Sequence, residues 1–438
     1  MRGFVQRRVP AAVLLWGVWV AVAAGGPGDG IRLGSWVLSP YLELNLTHDS
    51  NVYKDGTNEI DDVFFEPELG LRFSSSSETN TTSFRGNLFY SDRQYDTEKN
   101  RDFKTYGDNL TLRHGNGRRA LIELIQSYRH LDDNDRHASD IEESPLSAEM
   151  VEDSNTLDLE RDVHQLGASV SRRMTDKLEL GLSYRYAGVM YENMTHERTE
   201  PKDLIIPEGL DLDGHILQLD GSLGLTDKTD AFLTLRQGRQ YQEDTDGAAD
   251  LTTVRLGLKS QGSAKVTYVA SGGLERYERP GQSAGLEEGV DRYEAVVDPE
   301  NDSDVTFNFS AVVNWFITEK LTFRCGGYNG TQFSSFYQAN GLEYISGWAG
   351  LGYRLKPSLI FSLRGIYRED DYLDPVTHLG VTKDRVDERV EGHARIDYVA
   401  PGEFLRLYLE GTYDEVDSNF DFVDYVDVRV MLGAIIRY

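Results

Sequence analysis

Cysteine occurs once in 438 residues, at Cys325, so neither an intrachain disulfide nor a thiolate metal cluster can be built. Positive charge is also scarce: 45 lysines and arginines stand against 73 aspartates and glutamates, a net charge of −28. A chain this acidic lacks the cationic surface that neutralises phosphate backbones, which argues against a nucleic-acid partner. Long apolar runs are missing as well. The one continuous run, Ala11 to Ala24 (AAVLLWGVWVAVAA), is shorter than the roughly 20 residues a spanning helix needs. Nothing after it comes closer, which excludes a helical membrane protein.

What is present begins at that run. Arg2, Arg7 and Arg8 precede it, and Ala21, Val22 and Ala23 offer small residues for cleavage. This is the layout of a secretory signal peptide over residues 1–23, with a short glycine-rich leader over 24–35. No cysteine lies near the cleavage point, so a lipoprotein is not expected. Beyond the leader the chain settles into alternating segments of about ten residues, the period at which a strand shows one apolar and one polar face.

The breaks between segments alternate in length. Short ones carry turn-forming residues: SSSSETN (Ser74 to Asn80), HGNG (His114 to Gly117), MTDK (Met174 to Lys177), TDKTD (Thr226 to Asp230), SQGS (Ser260 to Ser263), ITEK (Ile317 to Lys320), LKPS (Leu355 to Ser358) and APGE (Ala400 to Glu403). Long, polar ones fall near 49–61, 92–102, 131–155, 192–213, 242–250, 278–303, 332–341, 369–385 and 415–424. Eight turns and nine loops join eighteen strands, first near 36–48 and last over Tyr425 to Tyr438. The weakest segments, near 103–113 and 157–172, leave sixteen as the alternative.

This rhythm predicts an all-β fold, a transmembrane antiparallel up-and-down β-barrel over 36–438 in the outer membrane, with both termini on the periplasmic side. Aromatics cluster near segment ends, as at Phe73, Tyr90, Tyr128, Tyr186, Trp315 and Tyr413, where interfacial girdles belong. A soluble sandwich, propeller or β-helix would also alternate. The segments show the reverse of a packed interior, however, with nearly uninterrupted apolar runs facing outward and charge on the opposite face, and the loop lengths alternate strictly. Too few residues separate the cleavage point from the first strand to build a plug domain, so a plugged siderophore-type transporter is not expected.

If the apolar parity faces lipid, the other parity lines the lumen. Arginine recurs on it: Arg72, Arg85, Arg113, Arg185, Arg236, Arg255, Arg324, Arg364, Arg395, Arg406 and Arg429, with the acids Glu66, Glu68, Glu123, Glu179, Glu391, Asp397, Glu410 and Asp427. Two readings fit these residues. The charges form paired ladders that hold strands in register, or the guanidinium groups outnumber their partners locally and attract an anionic solute or acidic saccharide chain. Loop 131–155 either folds inward as a constriction or stays at the surface. Catalysis is not expected: the nine histidines are scattered and none sits in HExxH, and His393 beside Glu391 and Arg395 reads as a wall residue. Asp244, Asp246 and Gly247 lack the full calcium-loop pattern, which leaves that acidic loop at most a diffuse divalent-ion or lipopolysaccharide-bridging role; no defined metal site and no cofactor is expected.

Two stretches carry a family resemblance. The last strand, YVDVRVMLGAIIRY, ends on Tyr438 and resembles the C-terminal signature of bacterial outer-membrane barrels, which implies recognition by their assembly machinery. The opening strands from Ser39 to Phe73, with Asp49, Asn51, Val52 and Tyr53 at the corner, resemble the β-barrel porins associated with exopolysaccharide loci (porin-2-like). That resemblance implies an outer-membrane pore among lipid and lipopolysaccharide. It suggests saccharide chains or periplasmic export proteins as partners. A non-conducting scaffold or adhesin acting through the acidic loops is the other class of function left open.

Overall fold

The computed structural model describes residues 30–54, 56, 59–75, 81–116, 120–131, 161–191, 212–242, 248–278, 303–333, 341–373, 376–378, 381–420 and 423–438. Among them eighteen long strands form one antiparallel barrel. They are β1 (Trp36–Asp49), β2 (Asp62–Ser75), β3 (Thr82–Tyr95), β4 (Phe103–Asn116), β5 (Ala120–Leu131), β6 (Arg161–Arg173), β7 (Leu178–Tyr191), β8 (Leu212–Thr226) and β9 (Thr229–Gln242). The second half comprises β10 (Ala248–Ser263), β11 (Val266–Glu278), β12 (Ser303–Phe316), β13 (Leu321–Phe333), β14 (Gly341–Lys356), β15 (Leu359–Tyr372), β16 (Val386–Val399), β17 (Leu405–Ser418) and β18 (Tyr425–Arg437).

Each strand pairs with its neighbours in sequence, and β18 closes on β1 from Tyr41↔Arg437 to Asp49↔Arg429. Closure removes the sheet edges, the condition for burying a backbone in hydrocarbon. The Tyr438 amide donates to the Pro40 carbonyl at 3.1 Å, so the start of β1 runs past the end of its partner. Ile31–Leu33, inside the leader, folds back and pairs with Trp36 to Leu38 there, covering the edge that β18 leaves bare.

The strand rhythm read from sequence holds, and sixteen strands are excluded. The segment expected at 157–172 is β6, starting at Arg161. The expected turn at Ser260 to Ser263 is instead the end of β10, where the register shifts between Ser260 and Ser263; the turn itself is Ala264 and Lys265. The signal segment and loop 131–155 lie outside the described residues, apart from Leu131 at the end of β5.

Side-chain exposure separates the two faces. Val428, Val430, Leu432 and Ile436 on β18 are exposed on the outside, and Leu432 is 59% accessible. Leu256 on β10 and Phe307 on β12 reach 65% and 62%. Apolar side chains this open on strand after strand, around a closed barrel, form a surface made for lipid rather than water. Tyrosines edge this band on the long-loop side, several with hydroxyls on carboxylates: Tyr128 on Asp162 (2.9 Å), Tyr186 on Asp213 (2.6 Å) and Tyr413 on Glu415 (2.5 Å). An apolar ring below and a polar tip above suit an interface between hydrocarbon and headgroups.

The inward face departs from expectation at the long-loop end. Apolar side chains crowd it there beside buried charge: Phe64, Tyr95, Phe103, Val163, Val189, Ile216, Leu251, Tyr277, Leu342, Tyr372, Val416 and Tyr425 are all buried, and so are Asp62, Arg93, Arg161 and Asp387 among them. The strands run past the bilayer-crossing length, and described connections fold onto them. Val52 packs with Phe64, Tyr95 and Phe103, while Phe420 and Val423 pack with Leu342, Tyr372, Val416 and Tyr425. The result is an apolar collar inside the rim, held by the burial that drives a soluble core.

The corner after β1 anchors one side of that collar. Asn51 is fully buried; its amide nitrogen donates to Asp49 at 3.0 Å and its Nδ2 to the Val426 carbonyl on β18 at 3.0 Å. Tyr53 donates to Glu98 at 2.6 Å, and Arg101 donates to the Val52 carbonyl at 3.1 Å. Asn51→Ala strands the Val426 carbonyl, costing about 1–3 kcal/mol. The expected result is faster proteolysis within 50–61 with the barrel itself intact; unchanged cleavage would contradict the anchoring role.

Candidate pore lining

All eleven arginines and all the acids read as lumenal lie on the inward face, opposite the exposed apolar series. They do not behave alike. Over β15 to β18 and into β1 the charges interlock. Arg395 donates to Asp397 at 3.0 Å and to Glu410 at 2.8 Å, and Arg406 donates to Asp397 at 2.8 Å. Arg429 sits between Asp427 (2.8 Å) and Asp49 (3.0 Å). Arg389 bridges Glu391 (2.8 Å) and Asp414 (3.1 Å), and Lys54 reaches Asp414 at 3.4 Å. His393 is 3.6 Å from Glu391. This side of the wall is the paired ladder, with opposite charges supplied two residues along the same strand, as at Arg395 and Asp397, and from the adjacent strand, as at Arg395 and Glu410.

Elsewhere pairing is sparser. Arg113 pairs with Glu123 across β4 and β5, and Glu66 takes Arg93 at 2.9 Å. Arg255 donates to Asn308 at 3.1 Å and lies 4.0 Å from Glu275. Glu275 is buried and well supplied: Thr253 donates at 2.8 Å, Asn308 Nδ2 at 3.2 Å and the Thr331 amide at 2.5 Å. Removing it in Glu275→Ala leaves those donors unpaired, for an expected loss of about 2–3 kcal/mol. The midpoint of urea unfolding in micelles reads that loss, and an unshifted midpoint would refute it.

Arg72, Arg85 and Arg324 make no salt bridge to any described residue. Arg72 instead lies over the Tyr41 ring, 4.8 Å from its centroid, and Arg364 lies 5.8 Å over Trp348. Arg185 and Arg236 are engaged, and Glu179 sits opposite Ser222 on the inward face. Glu68 accepts from the Tyr41 hydroxyl at 2.7 Å. Arg93, Arg129, Arg161, Arg368, Arg389 and Arg437 also point inward by their register. None of these is among the eleven that alternation picks out. Arg93 fell inside an expected loop, and consecutive apolar residues such as Val63, Phe64 and Phe65 were the available sign that the strands continue there.

Among the described residues no group of three or more His, Cys, Asp or Glu side chains is placed to hold a metal ion. One Gly-x-Ser-x-Gly string, Gly281 to Gly285, lies outside the described residues.

No protein-family model and no curated protein sequence matches the chain. Solved structures do. Pseudomonas aeruginosa OpdQ is 14% identical over 92% of this chain and 98% of its own, with a TM-score of 0.47. A BenF-like porin from Pseudomonas fluorescens Pf-5 is 11% identical over 92% and 99%, with a TM-score of 0.48. Acinetobacter baumannii OccAB4 is 11% identical over 94% and 100%, with a TM-score of 0.46. Identities this low transfer no residue's role.

Proposed function

We propose that the barrel is an outer-membrane, porin-like pore for anionic solutes, with acidic saccharide chains as its preferred cargo. In this reading the short turns face the periplasm and the long loops face outward. The observation that carries it is the set of inward arginines near the short-turn end and mid-wall, Arg72, Arg85 and Arg324, which make no salt bridge among the described residues. A barrel of eighteen strands has room for an aqueous path, and unpaired cations along such a path raise the local anion concentration. Export of an exopolysaccharide is the finer form of the proposal and rests on the resemblance of the opening strands. Tyr438 serves as the assembly signal, and lipopolysaccharide contacts the outer wall.

The buried apolar collar favours one competing reading, a barrel that is closed at its outer rim and works as a scaffold or adhesin. Planar-bilayer recording separates the two. A pore gives discrete conductance steps and, under a potassium chloride gradient, a reversal potential of the sign set by chloride. Absence of steps, or a cation-preferring potential, would sink the proposal.

A further inference from the structure

The inner wall of β1 to β4 holds a recess of about 510 Å³ at the short-turn end. Ser39, Arg72, Arg85, Asn87, Asn109 and Thr111 line it. The register explains why they meet: Arg72 stands opposite both Ser39 and Asn87, Arg85 opposite Thr111, and Asn87 opposite Asn109. The two guanidinium groups have no carboxylate partner among the described residues, and no acid lines the recess. Arg437 adds to the same field, since it pairs in register with Tyr41, two residues along β1 from Ser39.

Asn87 adds a polar side chain with hydrogen-bonding capacity to spare: its Oδ1 has no partner among the described residues, while Ser39, Asn109 and Thr111 supply further donors and acceptors around the two cations.

From these residues the geometry points to a binding site for a carboxylated saccharide in the recess, with Arg72 and Arg85 on the carboxylate and Asn87 and Asn109 on ring hydroxyls. Guanidinium groups suit carboxylates because they offer paired donors in one plane. Amide and hydroxyl side chains supply the mixed donors and acceptors that sugar hydroxyls need. A recess of several hundred cubic ångströms fits one or two sugar rings. Its place at the short-turn end makes it a loading site where a chain enters. The inference deepens the pore reading but does not depend on conduction for its test.

Equilibrium binding to the full-length mature barrel in detergent micelles tests it, with trigalacturonate as the acidic probe and maltotriose as its neutral counterpart. The expected result is saturable trigalacturonate binding, weakened about tenfold or more in Arg72→Gln/Arg85→Gln and several-fold in Asn87→Leu. Maltotriose should bind far more weakly and be indifferent to the arginine change. Thermal unfolding of each variant confirms that the barrel is intact. Absence of trigalacturonate binding to the wild type, equal binding of maltotriose, or unchanged affinity in the double arginine variant overturns the site. A barrel that binds trigalacturonate but shows no conductance leaves the site standing and sinks the pore. One that conducts anions without binding trigalacturonate does the reverse.

Discussion

Gly433→Val is expected to abolish or severely impair closure of the barrel, with the folded, heat-modifiable form falling to a small fraction of wild type on electrophoresis. Gly433 pairs with Tyr408, whose ring lies flat across it. A Cβ built on Gly433 would fall within the ring atoms of Tyr408, far closer than atoms approach. The ring has no free direction in which to yield. Its hydroxyl is 2.6 Å from both Glu43 and Asn45, and the Arg395 guanidinium stacks 3.7 Å from its centroid on the lumenal side. Because Tyr408 is on β17, Gly433 on β18 and Glu43 on β1, this joint crosses the seam where the last strand meets the first. Overpacking a fitted site costs about 1–3 kcal/mol or more, and here the strain falls on the contact that closes the sheet. Gly433→Val/Tyr408→Ala should recover much of the folded yield by emptying the space. A Gly433→Val barrel that folds as well as wild type would show that the joint is not tight.

The same joint recurs where Tyr41 covers Gly70 and donates to Glu68, and it marks the limit of what alternation reveals. Alternation places Tyr41 and Tyr408 on the lumenal parity and counts the glycines as gaps, so the strands and their facing are legible. It does not show that a ring on one strand fills the missing side chain of the next, because cross-strand register is set by turns whose lengths vary by a residue or two. The register shift at the end of β10, between Ser260 and Ser263, is a case in point. The apolar collar was hidden for a different reason. At Val189 and Met190, or Val63 and Phe64, both parities are apolar, since one faces the outside and the other a buried rim. Two apolar faces erase the period on which the reading depends. The corner at Asp49, Asn51 and Val52 was visible only as a family mark. Its physical content, a side chain tying the first loop to Val426, needs the closed barrel. The facing of the eleven arginines chosen by alternation was legible, while that of Arg93, in a stretch that alternation assigns to a loop, was not; which arginines are paired was hidden as well, because Asp397 serves both Arg395 and Arg406 across a strand boundary that the sequence does not order.

That division between paired and unpaired arginines yields the second large effect. Arg85→Glu/Arg324→Glu is expected to turn an anion-preferring pore toward cations while leaving the barrel folded. Both side chains are exposed to the lumen and make no salt bridge to a described residue, so reversal breaks no ion pair seen in the wall. In water at 0.1 M salt, reversing one charge changes the energy of an ion about 8 Å away by about 0.5 kcal/mol, with opposite signs for anion and cation. Two reversals therefore lower the anion-to-cation permeability ratio by on the order of tenfold, and the effect shrinks at 1 M salt, where screening is nearly complete beyond about 3 Å. Arg395→Glu carries the same charge change to a different end. It leaves Asp397 and Glu410 facing a third carboxylate and removes the cation stacked on Tyr408, and breaking a partly buried, charge-assisted network of this kind costs about 2–3 kcal/mol. It should appear as lost folded yield and not as altered selectivity. Reversal potentials under a potassium chloride gradient, read beside folded yield for all three substitutions, decide the matter. A double reversal at Arg85 and Arg324 that leaves the potential unmoved would place the ion path away from this wall, and the anion reading would fall with it.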